Sequence, residues 1–352
     1  MNSNFSLEEK IGQMILTGFH GKHVDENSLI VKDILIYHLG NLWITDKDDL
    51  INSNVRNIES PKQLKKLTTD LQNFSKNKLF IAIDAEGGKV IRLKEEYGFP
   101  KTFSAKFLGD KNDLSLTKEN SILIAQTLKE AGININFAPV VDLNINKDLN
   151  VIGKKERSFS DNPEIVFQHA KEFILAHKEK NIATCIKHFP GHGSAISDTH
   201  DGFVDSTKYW NEKELIPYKL LIEENLADAI MISHVYNKHL DEQYPSSLSK
   251  RIINDLLREK LSFNGLIFTD DLDMKAINDN YSLEKSLELA INAGVDIIIK
   301  SNIKNPVPDL VEKMIKAIKK LIEKNIITER RIDESFERII LLKKKLGLIN
   351  SQ

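Results

Sequence analysis

The stretch Gly265-Leu266-Ile267-Phe268-Thr269-Asp270-Asp271-Leu272-Asp273-Met274 governs the reading of the whole chain. Its core, residues 266–269, is apolar or β-branched with no polar alternation, the pattern of a strand buried on both faces of a parallel sheet. The strand stops abruptly on two carboxylates. Asp270, the first of them, should project from the end of the strand, and Asp271 should point the other way, toward a layer of helices. Asp273 is placed to help start the next helix.

The same unit recurs outward in both directions. Apolar runs of strand length lie at 14–19, 39–45, 79–84, 133–141, 182–187, 229–234 and 295–300, which with 266–269 makes eight. Amphipathic stretches of helical period separate them at 61–76, 116–131, 162–180, 211–225, 249–261 and 282–293. Gly132 and Gly294 follow two of these as C-caps, and Pro163 opens another in its first turn. Strictly alternating strand and helix predicts an α/β fold with a parallel sheet. Eight units over about 300 residues fit a closed (β/α)8 TIM-type barrel. The expectation is therefore a single domain over residues 1–352, with the barrel spanning about 8–300 and extra C-terminal helices at about 306–347. No G-x-G-x-x-G follows the first strand, which disfavours a dinucleotide-binding open sheet. No sequence repeat of fixed period is present.

Composition narrows the function. The 352 residues are 41% hydrophobic, enough for a sizeable core, and carry 49 basic against 51 acidic side chains spread along the chain. Such a balance provides no field to draw in nucleic acid or anionic lipid, so neither a nucleic-acid nor a membrane partner is expected. The single cysteine, Cys185, sits in an apolar run and reads as a small core residue. With no disulfide, no signal-like N-terminus and no apolar run of about 20 residues, the chain is expected to be cytoplasmic.

Polar groups gather where the strands end: Thr45-Asp46, Asp84-Ala85-Glu86, Asp142, Lys187-His188, Ser233-His234, Thr269-Asp270-Asp271 and Lys300. In a barrel these positions form one rim, where active sites are built. The densest stretch is Lys187-His188-Phe189-Pro190-Gly191-His192-Gly193, followed by Ser197-Asp198-Thr199-His200-Asp201. Three histidines and two acids fall within 14 residues, in a loop marked by Pro190, Gly191 and Gly193. Two readings compete there. His188, His192, Asp198 and His200 could hold a metal, although the spacing matches neither H-E-x-x-H nor a Cys/His finger. Alternatively Asp198 could hold one ring nitrogen of His200, favouring the imidazolium and making the pair a general acid/base. A third stretch, Ile83-Asp84-Ala85-Glu86-Gly87-Gly88-Lys89-Val90-Ile91-Arg92, has a Gly-Gly turn across which Asp84 and Arg92 could meet.

Taken together, "IDAEGGKVIRL", "FAPVVDLN", "RSFSDNP", "KHFPGHG" with a following "DTH", and "GLIFTDDLDM" resemble glycoside hydrolase family 3, in particular its bacterial β-N-acetylglucosaminidase branch. The resemblance runs from about residue 8 to residue 300, and the Asp-x-His after KHFPGHG is specific to that branch. It implies a TIM barrel, Asp270 as nucleophile, His200 with Asp198 as acid/base, and sugar contacts from Asp84, Arg92, Arg157, Lys187 and His188. The implied substrate is a terminal β-linked N-acetylglucosamine, released in the recycling of cell-wall muropeptides. The chain departs from the family at Val151-Ile152-Gly153-Lys154-Lys155-Glu156-Arg157, where two extra residues precede Arg157 and a bulged loop is expected. The expected enzyme is a retaining β-N-acetylhexosaminidase, a monomer acting on a small-molecule glycoside, with no cofactor and no metal. Because an imidazole base carries no negative charge to repel an anionic acceptor, a phosphorylase is an alternative, and a metal-dependent barrel hydrolase is another.

Overall fold

The structure, a computed structural model, describes residues 5–47, 55–147, 151–199, 202–303 and 306–350. Its strands are β1 (Ile15–Gly18), β2 (Asn41–Trp43), β3 (Phe80–Ile83), β4 (Ala85–Gly87), β5 (Val90–Ile91), β6 (Ile135–Asn136), β7 (Ala183–Phe189), β8 (Ala229–Ile232), β9 (Leu266–Thr269) and β10 (Ile298–Ile299). Eight of them pair in the order β10-β1-β2-β3-β6-β7-β8-β9. Every pairing in that sheet is parallel, as helical crossovers require. A parallel bridge between Phe268 and Ile297 joins the two ends, with the Thr269 N–H donating to the Ile297 carbonyl at 3.1 Å. The expected (β/α)8 barrel is thus the observed fold, and its eight strands are those read from the sequence. The remaining two strands, β4 and β5, form a small antiparallel hairpin above the rim.

The strands are shorter than their apolar runs for local reasons. The run at 133–141 yields only two ladder residues. Asn134 and Asn136 spend their side chains on the backbone of Leu79, Ile81 and Ala85, and Pro139 has no N–H to give. Val140 rejoins as a single bridge to Lys187. The helices begin where capping predicts. Asn162 accepts from Glu164 and Ile165 to start Pro163–Lys178, and Asp113 accepts from Ser115 and Leu116 to start Leu114–Ala131. Gly132 ends the latter at φ +76°, a left-handed cap. The segment expected as one helix at 211–225 divides into a tight turn, Glu212–Leu215, and an α-helix, Ile216–Glu223, with Pro217 in its first turn. The segment at 249–261 forms a π-type helix, Arg251–Lys260.

Helix Glu329–Lys345 lies against the barrel's underside. Arg331, Ser335 and Arg338 converge on the buried carboxylate of Asp296, just before β10, while Lys343 reaches the carbonyls that precede β2 and β3. Anchored there, the fold leaves the opposite rim for ligands. Among the described residues no helix is long and apolar enough to cross a membrane.

Candidate active site at the strand ends

The rim encloses a cavity of about 430 Å³, of a size for one sugar ring. Its floor is apolar: Trp43, Phe137, Met231 and Ile299. Phe137 stands edge-on to both Trp43 and Phe268, with centroids 6.3 and 5.6 Å away, so the floor is a packed aromatic plug. Polar walls rise from it, supplied by Asp84, Arg92, Arg157, Lys187, His188 and Asp270. All but two of the residues read from the sequence as site residues thus meet in one pocket. Asp198 is half-buried on the loop after β7 and is not part of the pocket lining. His200 lies outside the described residues.

The walls are wired together. Lys187, fully buried within β7, donates to Asp84 Oδ1 at 2.7 Å and lies 2.9 Å from Glu86 Oε1. Arg157 holds Glu86 in a fork, Nη2 to Oε1 at 2.7 Å and Nε to Oε2 at 2.9 Å, a geometry stronger than a single contact. Arg92 lies 3.6 Å from Asp84 Oδ2 and 3.7 Å from Asp46. Burial pushes the Asp84 carboxyl up, but Lys187 and Arg92 overcome it and hold it well below the ordinary carboxylate range. Glu86 is depressed in the same way by Arg157 and Lys187 against its burial. The cations therefore stay charged and fixed before any ligand arrives.

Glu86 is absent from the sequence-derived set of site residues, yet it anchors two of them. The signal was present: Asp84 and Glu86 are two apart on an extended segment, which puts both carboxylates on one side. The β4–β5 turn brings them in. Gly87 and Gly88 take φ of +106° and +58°, and a Cβ at Gly88 would lie 2.5 Å from Ser104, so only glycines make the turn. The longer loop before Arg157 resolves into a helical turn, Val151–Lys154, followed by Glu156 in the left-handed region at φ +58°. Glu156 is fixed by Lys89 at 2.5 Å and by the Ser104 hydroxyl at 3.0 Å. The bulge is absorbed there and Arg157 still enters the cavity.

Beneath β7, fully buried Asp142 organises the histidines. Its Oδ2 sits 2.7 Å from His188 Nδ1, and its Oδ1 accepts the His192 N–H at 2.8 Å. Asp142 thereby orients the ring whose Nε2 lies 3.4 Å from Arg157. His192 is buried and does not line the cavity. Burial, with His188 beside it, pushes its ring down to about 4, so it is neutral at neutral pH.

On β9, Thr269 accepts from Ile299 N and Asp270 N donates to the Ile232 carbonyl, which fixes the strand end. Asp270 emerges beside the floor with its Oδ1 accepting its neighbour's N–H at 2.8 Å. Asp271 does not point to the helix layer: its Oδ1 accepts from Asp273 and Ser301, and it lines the cavity. Asp273 starts no helix either. It pairs with Lys300 and accepts from Asn302, stitching β9 to the segment after β10. His234 is buried, bonded to Ser247 and the Asp271 carbonyl. A second cavity, about 640 Å³, shares Trp43, Lys47, Arg92, Asp271 and Met274 with the first. Among the described residues no cluster of three or more His, Cys, Asp or Glu is arranged to hold a metal ion.

Residues 191–199 run from β7 across to the β9 side. The Thr199 hydroxyl lies 3.7 Å from the Met274 sulfur, and Ala276 N donates to the Thr199 carbonyl at 3.4 Å. Asp198 lies one residue before this dock, and Met274 is itself part of the cavity lining.

A closed parallel barrel with a preorganised polar pocket at its C-terminal strand ends defines a TIM-barrel enzyme. The chain belongs to glycosyl hydrolase family 3: the model of that family's N-terminal domain matches residues 6–342. It is a glycoside hydrolase. A Beta-hexosaminidase of Photobacterium profundum is 38% identical over 248 residues, covering 70% of this chain and 72% of that protein. The structure of a family 3 β-N-acetylglucosaminidase from Paenibacillus sp. str. FPU-7 superposes with a TM-score of 0.87 at 30% identity, covering 99% of this chain and 64% of that one. A β-N-acetylhexosaminidase from Beutenbergia cavernae DSM 12333 gives 0.86 at 25% identity, covering 97% and 99%.

Proposed function

We propose that this chain is a retaining exo-β-N-acetylglucosaminidase. Asp270 attacks the anomeric carbon, and a glycosyl-aspartate forms through an oxocarbenium-like transition state. The Asp198–His200 pair protonates the leaving oxygen and then takes a proton from the incoming water. Asp84, Arg92, Arg157, Lys187 and His188 hold the sugar hydroxyls. The supporting observation is the shared cavity: Asp270 opens onto a ring-sized pocket whose opposite wall is a fixed network of charged donors and acceptors. The likeness to a Beta-hexosaminidase and to a β-N-acetylglucosaminidase supports N-acetylglucosamine rather than glucose as the sugar. Cell-wall muropeptides are the natural source of such a residue, and their recycling in the cytoplasm is the process in which we place the enzyme.

The test is turnover of an aryl β-N-acetylglucosaminide beside the matching glucoside. The Asp270→Ala variant should lose the first activity, and the first-formed hemiacetal from wild type should retain the β configuration. Near-wild-type rates in the variant, or an inverted product, would reject the assignment.

A further inference from the structure

The loop that carries Asp198 is held at its root by groups outside the sugar cavity. Glu214, fully buried in the turn Glu212–Leu215, accepts the Gly193 N–H with Oε2 at 3.0 Å and lies 3.4 Å from the Ser194 N. The packing is close: a Cβ on Gly191 would sit 2.6 Å from both Cβ and Oε2 of Glu214. Trp210 Nε1 donates to the Pro190 carbonyl at 3.0 Å. Asn146 approaches from the other side, its N–H donating to the Gly193 carbonyl at 3.1 Å. Beyond this root the chain turns outward, with Ile196 43% exposed, before Thr199 docks on Met274. A rigid root and a distal dock together fix where Asp198 sits. Buried N–H groups need acceptors, and one carboxylate can serve two at once.

We propose that Glu214 is a positioning residue for the acid/base step, holding the root of the 191–199 loop so that Asp198 is presented at the cavity. The proposal rests on the reading of Asp198 and His200 as the acid/base pair. Burial pushes the Glu214 carboxyl up to about 7, with Asp142 acting in the same sense, so the neutral amide of the same shape is a mild replacement.

Three variants, Glu214→Ala, Glu214→Gln and Glu214→Asp, test it on two β-N-acetylglucosaminides. One has an activated dinitrophenyl leaving group and the other an unactivated alkyl group. Glu214→Ala should lower kcat/KM on the alkyl glycoside by about ten-fold or more while kcat/KM on the dinitrophenyl glycoside changes little, because only the former needs its leaving group protonated in the first step. Glu214→Gln should restore most of the loss. Glu214→Asp, one methylene short of the Gly193 N–H, should show the same selective loss and covers the case in which the alanine variant fails to fold. Equal losses on both substrates, or an unchanged alkyl rate in both the alanine and aspartate variants, would overturn the proposal. Hydrogen exchange at Gly193 and Ser194 provides a readout free of activity: faster exchange in the aspartate variant than in wild type supports the anchor, and unchanged protection overturns it. Should wild type hydrolyse neither glycoside, the proposed function fails while the exchange measurement still decides the role of Glu214.

Discussion

Lys343 is the place where the fold can be perturbed most informatively. Its ammonium is fully buried on the last helix, 2.6 Å from Gln13 Oε1 and 2.5 Å from the Lys78 carbonyl, with those of Asn77 and Gly40 at 3.4 and 3.5 Å. It also sits 5.0 Å from the centroid of the Phe80 ring. Burial pushes this lysine from about 10.5 down to about 7. That descent corresponds to roughly 5 kcal/mol of stability lost wherever the group is charged in both states. Between the two values the unfolded chain binds the extra proton and the folded chain does not, so stability rises with pH across that window. From pH 7 to pH 9.5 the gain is about 3 kcal/mol. Lys343→Met keeps the length of the side chain and removes the titration. It also strips two close acceptors of their donor, at about 1–3 kcal/mol each. The variant should therefore be close to wild type near pH 7 and fall behind it by about 3 kcal/mol at pH 9.5. Urea unfolding at both pH values measures this directly. Parallel pH dependences would refute the reasoning, and would mean that the four acceptors and the Phe80 face keep the lysine charged throughout.

At the rim, Glu86→Gln removes one of the two anions that neutralise Lys187 and Arg157. Breaking such a buried pair costs about 3–5 kcal/mol, so kcat/KM on the aryl glycoside should drop at least ten-fold, mostly through KM, and an unchanged KM would detach Glu86 from sugar binding. His200→Ala and Asp198→Asn should slow glycosides with poor leaving groups by about 10²–10⁴ and activated aryl glycosides much less; equal effects would argue against an acid role. Activity should survive a chelator, whereas loss restored by added divalent metal would favour the metal-dependent alternative. Phosphate should leave the product as free sugar; a sugar phosphate would mark a phosphorylase.

Much of this was legible because a parallel barrel writes a simple code. Buried strands are apolar from end to end, so the point where polarity begins marks the rim, and Asp84, Lys187 and Asp270 stand at such points. Cys185, read as a core residue, is fully buried in β7, and burial raises its thiol far above the usual range. Illegible were the residues whose role depends on what folds over them. Glu214 sits in Asn-Glu-Lys-Glu-Leu-Ile-Pro, which reads as a solvated helix start, and only the returning 191–194 loop buries it. Asp273 reads as a cap because sequence cannot show that Lys300 and Asn302 arrive beside it. The short ladder of β6 escaped notice for a similar reason, since asparagine side chains that replace backbone bonds look like ordinary polar interruptions.

The arrangement separates two demands that conflict in one side chain. A group that grips a sugar must be fixed in advance, and the rim achieves this by pairing Lys187 with Asp84 and Glu86, and Arg157 with Glu86, inside the fold itself. Such pairs hold their charge because every member is already neutralised, so none can donate a proton near neutral pH. An acid/base group needs the opposite: a proton held loosely enough to move. The loop that carries Asp198 is anchored instead by Glu214 and Trp210, groups outside this network, which suits the acid/base role proposed for it. On the proposed mechanism the barrel strands would provide fixed charge and the loop after β7 would carry the proton.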